Sequence, residues 1–337
     1  MPVLDATALA DERIQAIRRY HQSAGVKRAE IDVSGGIDSA VIFSVLVRAL
    51  GADQVTAAFL SINSSNKARD RARAVADSLG ARLVVDELSA EFNLRMRHMV
   101  DRLVDAGYDR DELERRLATD PTILGSIRSC MRAPLGRGYN RLTGGGIRHG
   151  TGNEDEDRFL RFYQKGGDGE VDTNPIAMLS KGEVYQLALA LGVPRVVIDV
   201  RPSPDLWGDD EKHNDEDELK SMTGGVAWTY SRIDVDSGQY RTQGSIERVA
   251  RYLDSIDDGL FDDGVAVEKF TTGHGVAPAA EHPAFRGLDR DQVEALLRSA
   301  KKVERQTRHK LNPNIPALGI RRELLAAGIL TNDLPEL

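Results

Sequence analysis

Ser34-Gly35-Gly36-Ile37-Asp38-Ser39 is the stretch on which the fold turns. It follows a short run with strand character, Ala29 to Val33, and opens a segment from Ala40 to Leu50. In that segment Val41, Ile42, Val45, Leu46 and Ala49 recur on one helical face before Gly51 stops it. Strand, glycine turn and helix make a cradle for anions. Glycine lets the backbone approach a phosphate, and the first N–H groups of a helix have no partner within it. Asp38 in the first turn adds a carboxylate able to hold a divalent cation, and Ser34 and Ser39 complete a pyrophosphate nest. No Gly-Lys-Ser/Thr follows, so the loop is not of the Walker type. A tight turn with nothing bound is the bland reading; the full Ser-Gly-Gly-x-Asp-Ser pattern favours phosphate.

Outward from the loop, strands and helices alternate. Val55 to Leu60 is a second apolar strand, Asn66 to Leu79 a helix, and Arg82 to Asp86 a third strand. This predicts an α/β fold, a parallel twisted sheet with helices on both faces, Rossmann-like, with ligands beyond the carboxyl ends of the strands. Upstream, Ala6 to His21 reads as an amphipathic helix whose Tyr20 is either core or a stacking platform, periodicity favouring core. Glu91 to Leu117 is helical and heavily charged, a solvated face. Gly144 to Gly150 has no assignable structure. The acids Glu154, Asp155, Glu156 and Asp157 read as a helix start or a solvated face. Lys181 to Leu191 is a helix, and Pro194 is placed to begin another. Pro202 to Trp207 and the acidic run Asp215 to Leu219 read as an exposed loop. Further helices are expected near Ser245 to Ser255 and from Asp289 to Arg308.

Composition narrows the function classes. A single cysteine, Cys130, excludes an internal disulfide framework and a cysteine-based zinc cluster. No apolar run is long enough to cross a bilayer and no signal-peptide pattern is present, so a cytoplasmic protein with no membrane partner is expected. The net charge of −8 argues against nonspecific nucleic-acid binding. A nucleotide ligand remains compatible with it, because a local nest binds phosphate on an acidic protein.

Three further blocks accompany the glycine loop. They are Gly-Thr-Gly-Asn-x-x-Glu at Gly150 to Glu156, Gly-Asp-Gly-x-Val-Asp-x-x-Pro at Gly167 to Pro175, and Pro-Ser-x-Asp-Leu with Asp-Glu-x-Glu-Leu between Pro202 and Leu219. The last long helix ends in His309-Lys310. In this order the blocks resemble the ammonia-dependent NAD synthetases, a branch of the N-type ATP pyrophosphatases with an adenine-nucleotide α-hydrolase-like fold. The resemblance implies a single domain over residues 1–337 with an insertion at about 235–288 and no glutaminase domain. It also implies Mg²⁺, a homodimer, and amidation of deamido-NAD by ammonia through an ATP-derived adenylate.

Site residues follow from the same resemblance. Ser34, Gly35, Gly36, Ile37, Asp38, Ser39, Arg132, Thr151, Lys181 and Ser203 would bind ATP, with Asp38, Lys181 and Ser203 catalytic. Asp38 and Glu156 would hold the metal. Tyr20, Phe162, Lys165, Asp168, Asp172, His309 and Lys310 would bind deamido-NAD, which turns Tyr20 from core to ligand platform. Three departures from the family stand out. Cys130 replaces an arginine; three glycines, Arg148 and His149 replace an apolar strand; and the spacing from Glu156 to Asp168 is one residue longer. Another adenylate-forming carboxylate amidase and a degenerate nucleotide-binding paralogue remain as alternatives.

Overall fold

The computed structural model describes residues 5–161, 163–201, 215–256, 279–310, 319 and 321–333. Its centre is a parallel sheet of β1 (Ala29–Asp32), β2 (Val55–Ser61), β3 (Leu83–Glu87) and β4 (Ile147–Arg148), in the order β3-β2-β1-β4. β2 is buried along its whole length, as a strand covered on both faces must be. Its residues alternate between two cores. Val55, Ala57 and Phe59 face the larger one, and Ala58 and Leu60 the smaller.

The larger core lies under α1 (Ala6–Ala24) and α2 (Ile37–Leu50), with Leu9, Ile17, Val41, Phe43 and Leu46 at its centre. The helix α3 (Asn66–Ser78) packs beside β2 and β3, and α4 (Ser89–Asp105) and α5 (Arg110–Thr119) carry the charged stretch. Only Phe92 and Val100 of α4 are buried and no residue of α5 is, so the solvated-face expectation holds. On the other face α6 (Pro121–Leu142) sets Leu124, Ile127, Met131 and Leu135 against the smaller core. The unassigned glycine passage is a turn through Gly144 and Gly145, both at positive φ, that feeds β4.

Beyond β4 comes a π-helix, Glu154–Leu160, then α7 (Lys181–Ala190) and α8 (Arg195–Ile198), the last capped by Pro194. The solvated-face reading of the acidic run is overturned: Glu154 and Asp155 are fully buried at the start of the π-helix. The exposed-loop reading of 215–219 is corrected too. That segment opens α9 (Asp215–Met222), and Leu219 is buried because it belongs to a third core. Pro202 to Trp207 lies outside the described residues.

A hairpin of β5 (Arg232–Ile233) and β6 (Tyr240–Thr242) leads to α10 (Ser245–Ile256), and α11 (Arg290–Thr307) and α12 (Arg321–Ala326) follow. The third core joins Ile246, Val249 and Leu253 of α10 to Val293, Leu297 and Val303 of α11, and to Leu160, Trp228 and Tyr230. No helix among the described residues is long and apolar enough to cross a membrane.

Candidate active site

The glycine loop has the geometry its sequence requires. Gly35 sits at φ +81°, where a Cβ would lie 2.2 Å from the carbonyl oxygen of Ala68, so both backbone and space demand glycine. Gly36 caps α2 in an extended conformation with no side-chain cap bond. Ser34 and Gly36 are exposed, and Ser39 Oγ donates to the Gly36 carbonyl at 2.9 Å. The start of α2 therefore presents N–H groups to solvent beside two hydroxyls, with Asp38 in its first turn.

Asp38 meets the Gly-Thr-Gly-Asn block and the start of α7. Lys181 Nζ lies 2.6 Å from Asp38 Oδ2 and 2.7 Å from Glu156 Oε1. Asn153 ties the two acids together: its Nδ2 donates to Asp38 Oδ1 at 3.0 Å, and its Oδ1 accepts the Glu156 amide at 3.0 Å. Tyr230 Oη donates to Glu156 Oε1 at 3.4 Å, and its ring centroid lies 5.3 Å from the Lys181 ammonium. Lys181 is 2% exposed, its two carboxylates 15% and 18%. Burial pushes the Glu156 carboxyl up, Asp38 adds to this, and Lys181 opposes it.

Two carboxylates that converge on one cation form a hard oxygen pair, and Mg²⁺ is held in this way when substrate phosphates supply the remaining ligands. The donor set thus fits the expected metal. Among the described residues no group of three or more His, Cys, Asp or Glu side chains could hold a metal ion by itself.

Other expected residues fall around this centre. Arg132 on α6 reaches the carboxyl end of β2, donating to Leu60 O at 2.9 Å and Ser64 Oγ at 3.2 Å. Thr151 is half-buried in the loop after β4. Asp168 accepts from Ser129 Oγ at 2.7 Å and from the Gln164 amide at 2.9 Å. Asp172 accepts from Arg137 at 3.1 Å and from the Arg148 amide at 2.8 Å. Burial raises the Asp172 carboxyl, but those bonds outweigh it and leave it below the usual range.

Lys165, His309 and Lys310 come together at one edge. Lys165 Nζ donates to His309 O at 3.1 Å, and Lys310 Nζ to Arg161 O and Tyr163 O at 3.0 and 2.6 Å. Tyr20 is half-buried at the end of α1 and belongs to none of the three cores, against the reading from periodicity. Ser203 and Phe162 lie outside the described residues. Sequence reasoning assigned no role to Asn153 or Tyr230. Asn153 stands inside a quoted motif, whereas Tyr230 carries no local signal.

The departure at β4 is met by charges on its neighbour. Arg148 is buried, pairs with Glu30 and with Asp32 Oδ2 (2.6 Å), and donates from Nε to Glu170 O at 2.9 Å. Burial pushes Glu30 up to about 7, with Asp32 adding and Arg148 opposing. His149 is buried against His21, their Nε2 atoms 2.9 Å apart, and its Nδ1 lies 3.0 Å from Thr173 Oγ1. Burial first and His21 second bring His149 down to about 3.

A parallel sheet with a glycine loop at its carboxyl edge and an acid–lysine–acid centre beside it is the arrangement of a nucleotide-dependent α/β enzyme. Residues 9–234 match the model of the NAD synthase family, and the chain belongs to that family. The NH(3)-dependent NAD(+) synthetase of Alkaliphilus oremlandii is 31% identical over 209 residues, 62% of this chain and 79% of that protein. The one from Archaeoglobus fulgidus is 29% identical over 243 residues, 71% and 87% of the two chains. Among solved structures, the NMN synthetase of Francisella tularensis superposes with a TM-score of 0.61 at 18% identity, over 93% of this chain and 100% of that one. An NH3-dependent NAD synthetase from Campylobacter jejuni, in complex with the nitrate ion, gives 0.56 at 19%, over 92% and 98%. These likenesses show the fold. The family match ends before β6, α10, α11 and α12.

Proposed function

We propose that the chain is an ammonia-dependent NAD synthetase, amidating the nicotinate carboxylate of deamido-NAD at the expense of ATP. The observation that carries this is the Asp38–Lys181–Glu156 centre set against an uncapped phosphate loop, in a chain of this family. In this reading the amides and hydroxyls of Ser34 to Ser39 hold the ATP phosphates, Arg132 and Thr151 hold its nucleoside, and Ser203 approaches from the segment after α8. Asp38 and Glu156 would hold Mg²⁺, which supplies neutralisation of phosphate charge when bound. Lys165, Asp168, Asp172, His309 and Lys310 orient the acceptor, with Tyr20 and Phe162 stacking against it.

A carboxylate oxygen of the acceptor forms a bond to the α-phosphorus of ATP while the bond to the β-phosphate oxygen breaks and pyrophosphate leaves. Ammonia then bonds to the acyl carbon, AMP departs with the C–O electron pair, and a proton is lost to solvent. Lys181 carries a positive charge on the phosphate side of the centre, where the leaving group gains negative charge. The cytoplasmic location and the homodimer belong to this reading through the family likeness.

Cys130 is not primed as a nucleophile toward glutamine. Cys130 is the one cysteine of the chain, and burial and Asp168 push its thiol up, away from the reactive thiolate. The test is to supply ATP, Mg²⁺, ammonium and deamido-NAD and follow all products. AMP and pyrophosphate should appear in step with NAD, with poor turnover when glutamine replaces ammonium. Release of ADP and phosphate would overturn the adenylation mechanism. Because the Francisella protein of this fold is an NMN synthetase, deamido-NMN is offered in parallel, and deamido-NAD should give the higher kcat/KM.

A further inference from the structure

The turn that carries Lys181 is gripped by residues outside the family match. Ser180 is the N-cap of α7 and closes a capping box with Glu183. Its hydroxyl also donates to Glu247 Oε1 on α10 at 2.7 Å. Glu247 is fully buried and accepts from Tyr240 Oη at 3.1 Å and from Ser231 Oγ as well. Tyr240 lies directly against the turn: a Cβ on Gly182 would stand 2.0 Å from its Oη, so glycine there makes room for the phenol. On the other side, Asp155 Oδ2 accepts the Lys181 amide at 3.0 Å, and Arg251 of α10 pairs with Glu154 and with Asp254 at 2.6 Å. The helix α10 thus reaches both segments whose side chains meet in the centre, the one ending in Glu156 and the one beginning at Lys181.

Glu247 and Tyr240 meet the turn at Ser180 and Gly182 rather than at the Lys181 ammonium. The chemistry here is that of hydroxyls converging on one buried carboxylate, which sets the direction of the first turn of α7. A lysine shared between two carboxylates at 2.6 and 2.7 Å has little tolerance for a shift of that turn. We infer that Glu247 and Tyr240 are positioning residues, which hold the first turn of α7 so that the Lys181 ammonium stands between Asp38 and Glu156. This deepens the reading under Proposed function and rests on it for its kinetic consequence, though not for the structural one.

The experiment compares Glu247→Ala, Glu247→Gln and the milder Tyr240→Phe with the parent chain, using two readouts. The first needs no turnover: brief acetic anhydride labelling, with peptide mass spectrometry to score Lys181 against Lys310. Lys181 is nearly inaccessible in the parent and should label about 10-fold faster in Glu247→Ala and several-fold faster in Tyr240→Phe, while Lys310 is unchanged. The second is steady-state kinetics, in which kcat should fall roughly 10-fold in Glu247→Ala with KM for ATP and deamido-NAD within about twofold. Glu247→Gln, which keeps an acceptor for Ser180, should recover most of both. On a Lys181→Ala background Glu247→Ala should cost nothing further in kcat, because the two act through one ammonium.

Unchanged Lys181 labelling in both Glu247→Ala and Tyr240→Phe would overturn the inference. So would an equal rise at Lys310, which marks general loosening, or a kcat loss that multiplies on the Lys181→Ala background. A parent chain inactive on deamido-NAD whose variants still expose Lys181 selectively leaves the anchor standing and removes the reaction instead.

Discussion

Lys181 and Arg148 are each a buried cation set between two carboxylates, yet the two clusters are built for different ends. Arg148 spreads its nitrogens over separate partners, Glu30, Asp32 and the Glu170 carbonyl. A planar guanidinium committed in this way fixes geometry and cannot be exchanged for a simple ion. Lys181 offers one atom, Nζ, to both Asp38 and Glu156. A compact point charge of that kind can be traded for another cation or turned toward a phosphate. Placement follows the same division. Arg148 joins β4 to β1 inside the sheet, whereas Lys181 begins a helix beside the glycine loop at the start of α2. One cluster closes the fold and the other leaves an exchangeable charge where chemistry is expected.

Changes to these clusters should separate them, beginning with Asp38. Asp38→Asn removes the carboxylate from the first turn of α2 while keeping its shape. Turnover should fall by roughly 1,000-fold or more, the range of losing a preorganised charge contact and a metal ligand together. The melting temperature should stay close to that of the parent. An Asp38→Asn chain with near-parent kcat at limiting Mg²⁺ would move the site elsewhere.

Arg148→Met comes next. It strands Glu30 and Asp32, both already raised by burial, and should cost about 3–5 kcal/mol in urea unfolding. Added Mg²⁺ should not restore it. Lys181→Ala should behave oppositely. In millimolar Mg²⁺ its stability should lie within about 1 kcal/mol of the parent, since a cation bound to the native state replaces the missing charge. Its kcat/KM should nevertheless fall about 10- to 150-fold, the worth of one charge-assisted bond of roughly 1.5–3 kcal/mol. If Mg²⁺ rescued both variants, or neither, the distinction between the clusters would collapse.

The two clusters also differ in how far they could be read from the chain. The loop at 34–39, the apolar strand at β2 and the Gly-Thr-Gly-Asn block are local patterns; the fold, Asp38 and Glu156 follow from them, whereas Lys181 follows only from the family resemblance. Their joining does not, because Asp38 and Lys181 stand 143 positions apart. Of the two readings of the acidic run, the helix start holds and the solvated face fails at Glu154 and Asp155 for a similar reason. An acidic run is buried only when its partners exist, and Arg251, which pairs with Glu154, lies 97 positions further on. Arg148 departs from the family's apolar strand, and only its partners Glu30 and Asp32, 118 and 116 positions away, explain it. The span from Glu156 to Asp168, read as one residue longer than in the family it resembles, begins inside a π-helix. The π-helix, closed by the bond from the Arg161 amide to Glu156 O, holds one more residue per bonded ring than an α-helix.

The smallest expected effect concerns His149, in the sheet-closing region. Unfolded, it takes a proton near 6.5; folded, only near 3. Between those values the unfolded chain binds more protons, so this residue's contribution to stability falls as pH falls, by about 1.4 kcal/mol per unit. From pH 7 to pH 5 the loss is about 2 kcal/mol. Glu30 works the other way, because its folded value of about 7 lies above its ordinary 4.5 and the folded chain binds the extra proton. In the parent these two contributions nearly cancel each other. His149→Gln removes the first and keeps the second, so between pH 7 and pH 5 the variant should gain about 2 kcal/mol relative to the parent. Urea unfolding at the two pH values measures this difference directly. Parallel profiles for parent and variant would mean that His149 takes up its proton in the folded state near its ordinary value, and that the stacked pair with His21 is open to water.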